Sequence, residues 1–283
     1  MAGAYSKENT YLILAFDHRG SFEKLLGISG GKPNAEEIER LRKAKDVVFE
    51  GFKRAVERGA PKNQAALLVD DEYGPRVLEQ AAQGGYTFAS PVEKSGQDEF
   101  DFDKGDPGYV DQIARIKPTF VKVLVRYNPA GDKAMNQRQL ERLQKLDNHL
   151  KSINQAFLFE LLVPATADQA SNANYDTELR PRLTLEAIEE IQNAGIRPDL
   201  WKIEGLDARE DMEALVTQIR KVNSEAGAIV LGRGESMDKV RGWLTVAANV
   251  PGVLGFAVGR TIFSGPIQDY AAGNIGEDQA VAK

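Results

Sequence analysis

Cysteine is absent from the 283 residues, and histidine occurs only at His18 and His149. Those absences exclude disulfides, thiolate nucleophiles, iron–sulfur ligation, and cysteine-based or histidine-rich metal centres. No apolar run approaches the ~18 residues of a transmembrane span, and the polar opening from Met1 to Thr10 lacks the apolar centre of a signal peptide. A cytoplasmic protein without a membrane partner is expected. Positive charge is also in short supply: 36 Lys and Arg against 42 Asp and Glu leave a net charge of −6. A nucleic-acid binder needs a basic surface, so no nucleic-acid partner is expected. Nor does a Gly-x-Gly-x-x-Gly follow the first apolar segment, where a dinucleotide-binding fold carries it. Chemistry falls to Lys, Asp, Glu, Arg, Ser, Thr and Tyr.

What is present is an alternation. Short apolar segments run Tyr11 to Phe16, Ala66 to Val69, Tyr86 to Ala89, Phe120 to Val125, Ala156 to Val163, Leu200 to Ile203, Ala228 to Leu231 and Val253 to Val258. Amphipathic stretches lie between them, at Ala35 to Arg58, Pro75 to Gln83, Tyr109 to Arg115, Gln137 to Ile153, Leu183 to Ala194, Arg209 to Ala226 and Met237 to Ala248. Strands alternating with helices build a parallel sheet, and eight such units in one chain of this length predict a single-domain (β/α)8 TIM barrel over residues 1–283. Two long polar loops, Ser90 to Gly108 and Pro164 to Pro181, follow candidate strands and so belong over the C-terminal mouth, where barrels build active sites. Residues 273–283 are small and polar and read as a flexible tail.

Two lysines interrupt apolar strands: Lys122 in Phe120-Val121-Lys122-Val123-Leu124-Val125 and Lys202 in Leu200-Trp201-Lys202-Ile203-Glu204. A buried ammonium must be paired or deprotonated. A desolvated lysine can be a free amine that attacks a carbonyl to form a Schiff base. The competing reading puts each lysine on the outer face of its strand against a helix carboxylate. Glu160, alone among apolar neighbours in the fifth strand, favours the inner face, because a buried carboxylate needs a cation or a proton. Since side chains alternate along a strand, Lys202 brings Glu204 with it, and Lys122, Glu160 and Lys202 converge from consecutive strands. Their roles would be catalytic. Asp17, His18 and Arg19 after the first strand, and Asp70 and Asp71 after the second, are candidate substrate ligands, although aspartate after a strand also caps turns. Gly232-Arg233-Gly234 and Gly259-Arg260 follow strands seven and eight, where backbone N–H groups and guanidinium suit a phosphate.

The ordered motifs Asp17-His18-Arg19-Gly20, Asp70-Asp71-Glu72-Tyr73-Gly74, Val121-Lys122-Val123-Leu124, Phe159-Glu160-Leu161-Leu162, Trp201-Lys202-Ile203-Glu204 and Val258-Gly259-Arg260-Thr261 resemble the strand motifs of class I tagatose-bisphosphate aldolases. They look closer still to the aldolase-like domain often fused to the sugar kinase of inositol catabolism. The resemblance implies that Lys202 is the Schiff-base lysine, with Lys122 the neighbouring charge that helps keep it neutral and Glu160 the proton carrier. It departs from the tagatose-type pattern at His18, where glutamine is usual, and at Arg233, in a turn usually rich in Ser, Ala and Gly.

The substrate implied is a phosphorylated keto sugar or keto sugar acid. The deoxy-keto-gluconate phosphate of inositol catabolism comes first, yielding dihydroxyacetone phosphate and malonic semialdehyde, and tagatose bisphosphate second. The iminium is the electron sink, so neither metal nor cofactor is expected. Such barrels often assemble, so a homo-oligomer is among the expected states. Two alternatives stand beside this reading: a non-catalytic sugar-phosphate-binding barrel, and a metal-dependent lyase using Asp17, Asp70 and Glu160.

Overall fold

The structure, a computed structural model, describes residues 5–283; the first four residues of the polar opening segment lie outside the described residues. Eight strands are formed: β1 (Tyr11–Ala15), β2 (Ala65–Leu68), β3 (Thr87–Pro91), β4 (Phe120–Arg126), β5 (Ala156–Leu162), β6 (Leu200–Glu204), β7 (Gly227–Leu231) and β8 (Val253–Val258). Each pairs in parallel with its sequence neighbour, and β8 closes on β1 to complete the barrel. The expected (β/α)8 barrel is the observed fold. Closure leaves no sheet edge unpaired, which is how short apolar strands of this kind avoid edge-to-edge association.

The outer layer consists of α1 (Gly20–Leu25), α2 (Ala35–Glu57), α3 (Pro75–Gln83), α4 (Gly108–Ile116), α5 (Lys133–Ser152), α6 (Arg180–Asn193), α7 (Arg209–Arg220), α8 (Met237–Ala247), α9 (Arg260–Ala271) and α10 (Glu277–Ala282). Local chemistry sets their ends. Asn34 and Glu37 form a reciprocal capping box at the start of α2, satisfying N–H groups that the first turn leaves free. Asp132 accepts from the N–H groups of Ala134 and Met135, so α5 begins before the Gln137 start that hydrophobic spacing suggests. Helix α7 stops at Arg220 rather than Ala226, because Asn223 turns the chain by accepting from the N–H of Glu225.

Residues 273–283, which the sequence reads as a tail, carry regular structure. They contain α10, whose Ala280 is buried and whose Val281 packs on the apolar layer between α2 and the barrel. Their mean polarity concealed one apolar edge.

Inside the barrel, alternation decides what faces the axis. Tyr11, Ile13, Phe120, Leu158, Leu200 and Ile229 belong to one dry cluster, and the Tyr11 and Phe120 rings meet edge to face at 5.3 Å. Two residues farther along β4, β5 and β6 the same inward parity reaches Lys122, Glu160 and Lys202. The apolar floor therefore ends where the charged layer begins.

Candidate active site

Lys122, Glu160 and Lys202 meet as their strands predict. Glu160 is in register with Lys202 on β6 and with Leu124 on β4, so its carboxylate reaches both lysines. Oε1 lies 2.8 Å from Nζ of Lys202, and Oε2 lies 3.0 Å from Nζ of Lys122. All three residues are buried, and all three line the cavity at the mouth of the barrel.

Lys122 is held by more than Glu160. Asp17, just past β1, lies 2.8 Å from its Nζ, and Glu93, just past β3, lies 2.5 Å away. Burial opposes a charge on Lys122, but Asp17, Glu93 and Glu160 together overcome it and raise its pKa. Burial likewise opposes ionisation of Asp17, and the two lysines outweigh it, so Asp17 is held low. Glu160 follows the same logic, lowered by Lys202 and Lys122 against burial. For Glu93 burial wins, and its pKa is raised in spite of Lys122 and Arg19. The site thus carries a persistently charged ammonium surrounded by three carboxylates, beside a second lysine that shares only Glu160.

Two lobes open from this layer. One, of about 320 Å³, lies under the loop after β3 and includes Lys24, Lys94 and Arg126. The other, of about 580 Å³, is bounded by the turns after β7 and β8 and by the loop after β5. His18, Ser21, Arg126, Glu160 and Lys202 line both. These residues form the junction of the lobes.

In the second lobe Gly232, Arg233, Gly259 and Arg260 come together as expected, but the two arginines differ. Arg233 Nε lies 3.1 Å from Glu204, and Nη1 lies 2.7 Å from Asp176. Arg260 opens α9, is exposed, and has no ion pair among the described residues. Its guanidinium passes so close to Gly234 that a Cβ there would sit 2.8 Å from Nη2. Arg260 is thus the available cation, placed at a helix N-terminus that already favours an anion. Glu204 lines the lobe too, but it faces Arg233 and accepts from the N–H of Val163 at 3.1 Å. Burial raises its pKa despite Arg180 and that bond.

Three candidates have other duties. Asp70 is fully buried against Lys45 and accepts from the N–H of Tyr73 at 2.7 Å. Asp71 is engaged by Arg115 at 2.7 Å and Gln112 at 3.2 Å. Neither lines a lobe, because β2 ends at Leu68 and the chain turns outward before either carboxylate can reach the axis. Arg19 reaches the cavity wall, yet its guanidinium donates to the Glu93 carbonyl at 2.7 Å and lies 3.6 Å from Asp103. It ties the loop after β3 to the end of β1. The metal-dependent alternative loses its ligand set accordingly: Asp70 faces Lys45, and the Lys122 ammonium occupies the point that Asp17 and Glu160 share.

The family described as "Uncharacterized protein conserved in bacteria (DUF2090)" matches residues 2–283. The chain belongs to this family. Among curated relatives, this DUF2090 protein is 25% identical over 209 residues to a tagatose 1,6-diphosphate aldolase of Listeria monocytogenes serotype 4b (strain CLIP80459), covering 70% of this chain and 56% of that protein. It is 25% identical over 291 residues to tagatose 1,6-diphosphate aldolase 1 of Streptococcus mutans serotype c (strain ATCC 700610 / UA159), covering 94% and 84%. The chain therefore spans just over half the length of the Listeria relative. An archaeal fructose 1,6-bisphosphate aldolase superposes with a TM-score of 0.60 at 12% identity, over 95% of this chain and 93% of the other. A Schiff-base-forming fructose-1,6-bisphosphate aldolase gives 0.57 at 11% identity, over 96% of each. At such identities the likeness is one of fold.

Three residues in or behind the cavity of this DUF2090 protein escaped the sequence motifs. Glu93 stands in the loop Ser90 to Gly108 that length alone marked as functional, two residues past the end of β3. Arg126 shares the inward parity of Lys122. Lys45, inside an amphipathic helix pattern, carried no signal: its position on the buried stripe of α2 becomes visible only against β1 and β2.

Proposed function

We propose that this chain is a class I aldolase in which Lys202 forms the Schiff base. The observation that carries the reading is the placement of Lys202 Nζ, buried at the junction of two lobes and 2.8 Å from Glu160. The persistent charge on Lys122 is balanced by three carboxylates, so it does not by itself make Lys202 neutral. Instead Glu160 provides the route by which Lys202 sheds its proton.

The free amine adds to the substrate ketone, giving a carbinolamine. Glu160 protonates the departing hydroxyl, and water leaves to give the iminium. Glu160, again a base, removes the proton from the hydroxyl on the carbon beyond the scissile bond. That hydroxyl carbon becomes the aldehyde, the carbon–carbon bond breaks, and its electron pair moves onto the iminium to form an enamine. Protonation at carbon and hydrolysis release the ketone product and restore the amine. Lys122, with Asp17 and Glu93, fixes Glu160 and supplies positive charge beside it.

The lobes support a substrate with anionic groups at both ends. Arg260 and the backbone of the Gly-Arg turns suit the phosphate on one side of Lys202, while Lys24, Lys94 and Arg126 supply cations on the other. A phosphorylated keto sugar acid such as 2-deoxy-5-keto-gluconate 6-phosphate fits this pattern, with dihydroxyacetone phosphate and malonic semialdehyde as products. Tagatose bisphosphate is the second candidate, on the strength of the named relatives.

The test is borohydride reduction in the presence of dihydroxyacetone phosphate, followed by peptide mass mapping. A reduced adduct is expected on Lys202, absent in Lys202→Met and slowed about 10²–10⁴-fold in Glu160→Gln. An adduct on Lys122 alone would overturn the assignment; an inert protein would overturn the reaction. Triose-phosphate release from the two sugars then chooses between them.

A further inference from the structure

Lys45 belongs to the outer helix α2, yet it is completely buried and lines neither lobe of the cavity. Its Nζ donates to the Phe16 carbonyl at 2.7 Å, to the His18 carbonyl at 3.1 Å and to the Asp70 carboxylate. An ammonium has three donors, and here each has its own acceptor. Phe22 and Tyr73 place their rings 5.0 and 5.9 Å from the same nitrogen. Any buried ammonium must satisfy the two donors left over from its ion pair, and acceptors remote from the site would serve for stability alone. Two of the three bonds instead grip the backbone on either side of Asp17, the residue that reaches Lys122 at 2.8 Å.

We propose that Lys45 is a positioning residue: by clamping the carbonyls of Phe16 and His18 it sets where the Asp17 carboxylate stands, and through Asp17 it orients Lys122 and Glu160. Asp70 holds Lys45 in place and secures the turn after β2 through Tyr73. The chain of contacts runs from α2 to the strand end, then to Asp17, Lys122, Glu160 and Lys202. Without the clamp, the carbonyls of Phe16 and His18 lose their common anchor. Asp17 then drifts from Lys122, and Glu160 loses the partner that holds its second oxygen.

The inference rests on the Schiff-base reading, and its test separates the two. Wild-type protein is first trapped with borohydride and dihydroxyacetone phosphate; failure there counts against the reaction itself. Trapping rates and their pH profiles are then compared for Lys45→Met, for Lys45→Met combined with Asp70→Asn, and for Asp70→Asn alone. The combined variant removes both charges together, so that a carboxylate is not left buried without a partner. It stands in for Lys45→Met should the latter fail to fold. Leu143→Ala, a buried change in α5, controls for loss of stability.

Both Lys45 variants are expected to be trapped about 10–100-fold more slowly, with affinity for dihydroxyacetone phosphate within about 3-fold of wild type, as misplacement of a catalytic group predicts. The acid limb of the profile should move to higher pH as Asp17 loses Lys122. Asp70→Asn keeps the two carbonyl acceptors of Lys45 and should be slowed less than either Lys45 variant. A folded Lys45 variant with wild-type rate and profile overturns the proposal. So does an Asp70→Asn defect as large as that of Lys45→Met, or an equal defect in Leu143→Ala at matched stability.

Discussion

His18 stands where both lobes meet, among Asp17, Glu160, Lys202 and Arg260. Burial, the largest influence, pushes its pKa down from 6.5 to about 4; Lys202 and Arg260 add to this, while Asp17 and Glu160 oppose it. At neutral pH it is an uncharged imidazole, suited to a hydrogen bond with a substrate hydroxyl rather than to pairing with phosphate. Its Nδ1 is buried and has no hydrogen-bond partner among the described residues. Because the unfolded chain takes up this proton near 6.5 and the folded chain only near 4, the unfolded state binds more protons in between. Folding stability is therefore fully present above 6.5 and is lost as pH falls towards 4. His18→Gln should remove that loss: the difference in urea unfolding free energy between pH 7 and pH 4.5 should shrink by about 2–3 kcal/mol. An unchanged difference would show that the imidazole is not held neutral in the fold.

At the scale of elements, the seam between β8 and β1 closes the barrel and also presents the N-terminus of α9 to the second lobe. Gly259 lies at that join. A Cβ there would sit 1.8 Å from the Ala15 carbonyl oxygen and 3.2 Å from the Phe263 ring. A backbone oxygen in a strand cannot give way cheaply, so the turn itself would have to move, taking Arg260 with it. Gly259→Ala should destabilise by about 1–3 kcal/mol and weaken binding of phosphorylated ligands. Gly20→Ala, where nothing lies within 4 Å, should change neither; calorimetry together with a phosphate-ligand titration distinguishes them. The loop after β3 is an element of the same kind. Glu93 and Phe102 form an isolated bridge across it, and Arg19 fastens it to β1, so a segment without regular structure delivers a carboxylate to Lys122 with the accuracy of a strand.

Over the whole molecule, the barrel separates stability from chemistry. Its floor and outer layers are apolar, while the charged layer is confined to the mouth, where eight strand ends and their loops can be varied without disturbing the core. Helix α10 tests that separation, since Ala280 and Val281 pack over α2 and no residue of α10 lines either lobe. Removal of residues 277–283 should lower the melting temperature by several degrees, at about 2–4 °C per kcal/mol, and leave borohydride trapping of Lys202 intact. A loss of trapping at temperatures where the truncated protein remains folded would join the two functions that the fold keeps apart. No helix among the described residues is long and apolar enough to cross a membrane. Much of this plan was legible in the chain. The short apolar runs between amphipathic stretches indicated eight strands, and alternation, a local property of extended backbone, tied each charged side chain to a face of its strand; that Lys122, Glu160 and Lys202 face the axis was settled by closure of the barrel. Glu93, Lys45 and the outward turn of Asp70 and Asp71 were decided only in three dimensions. Their partners lie far away along the chain, and the direction of a side chain beyond a strand end depends on what the closed barrel sets beside it.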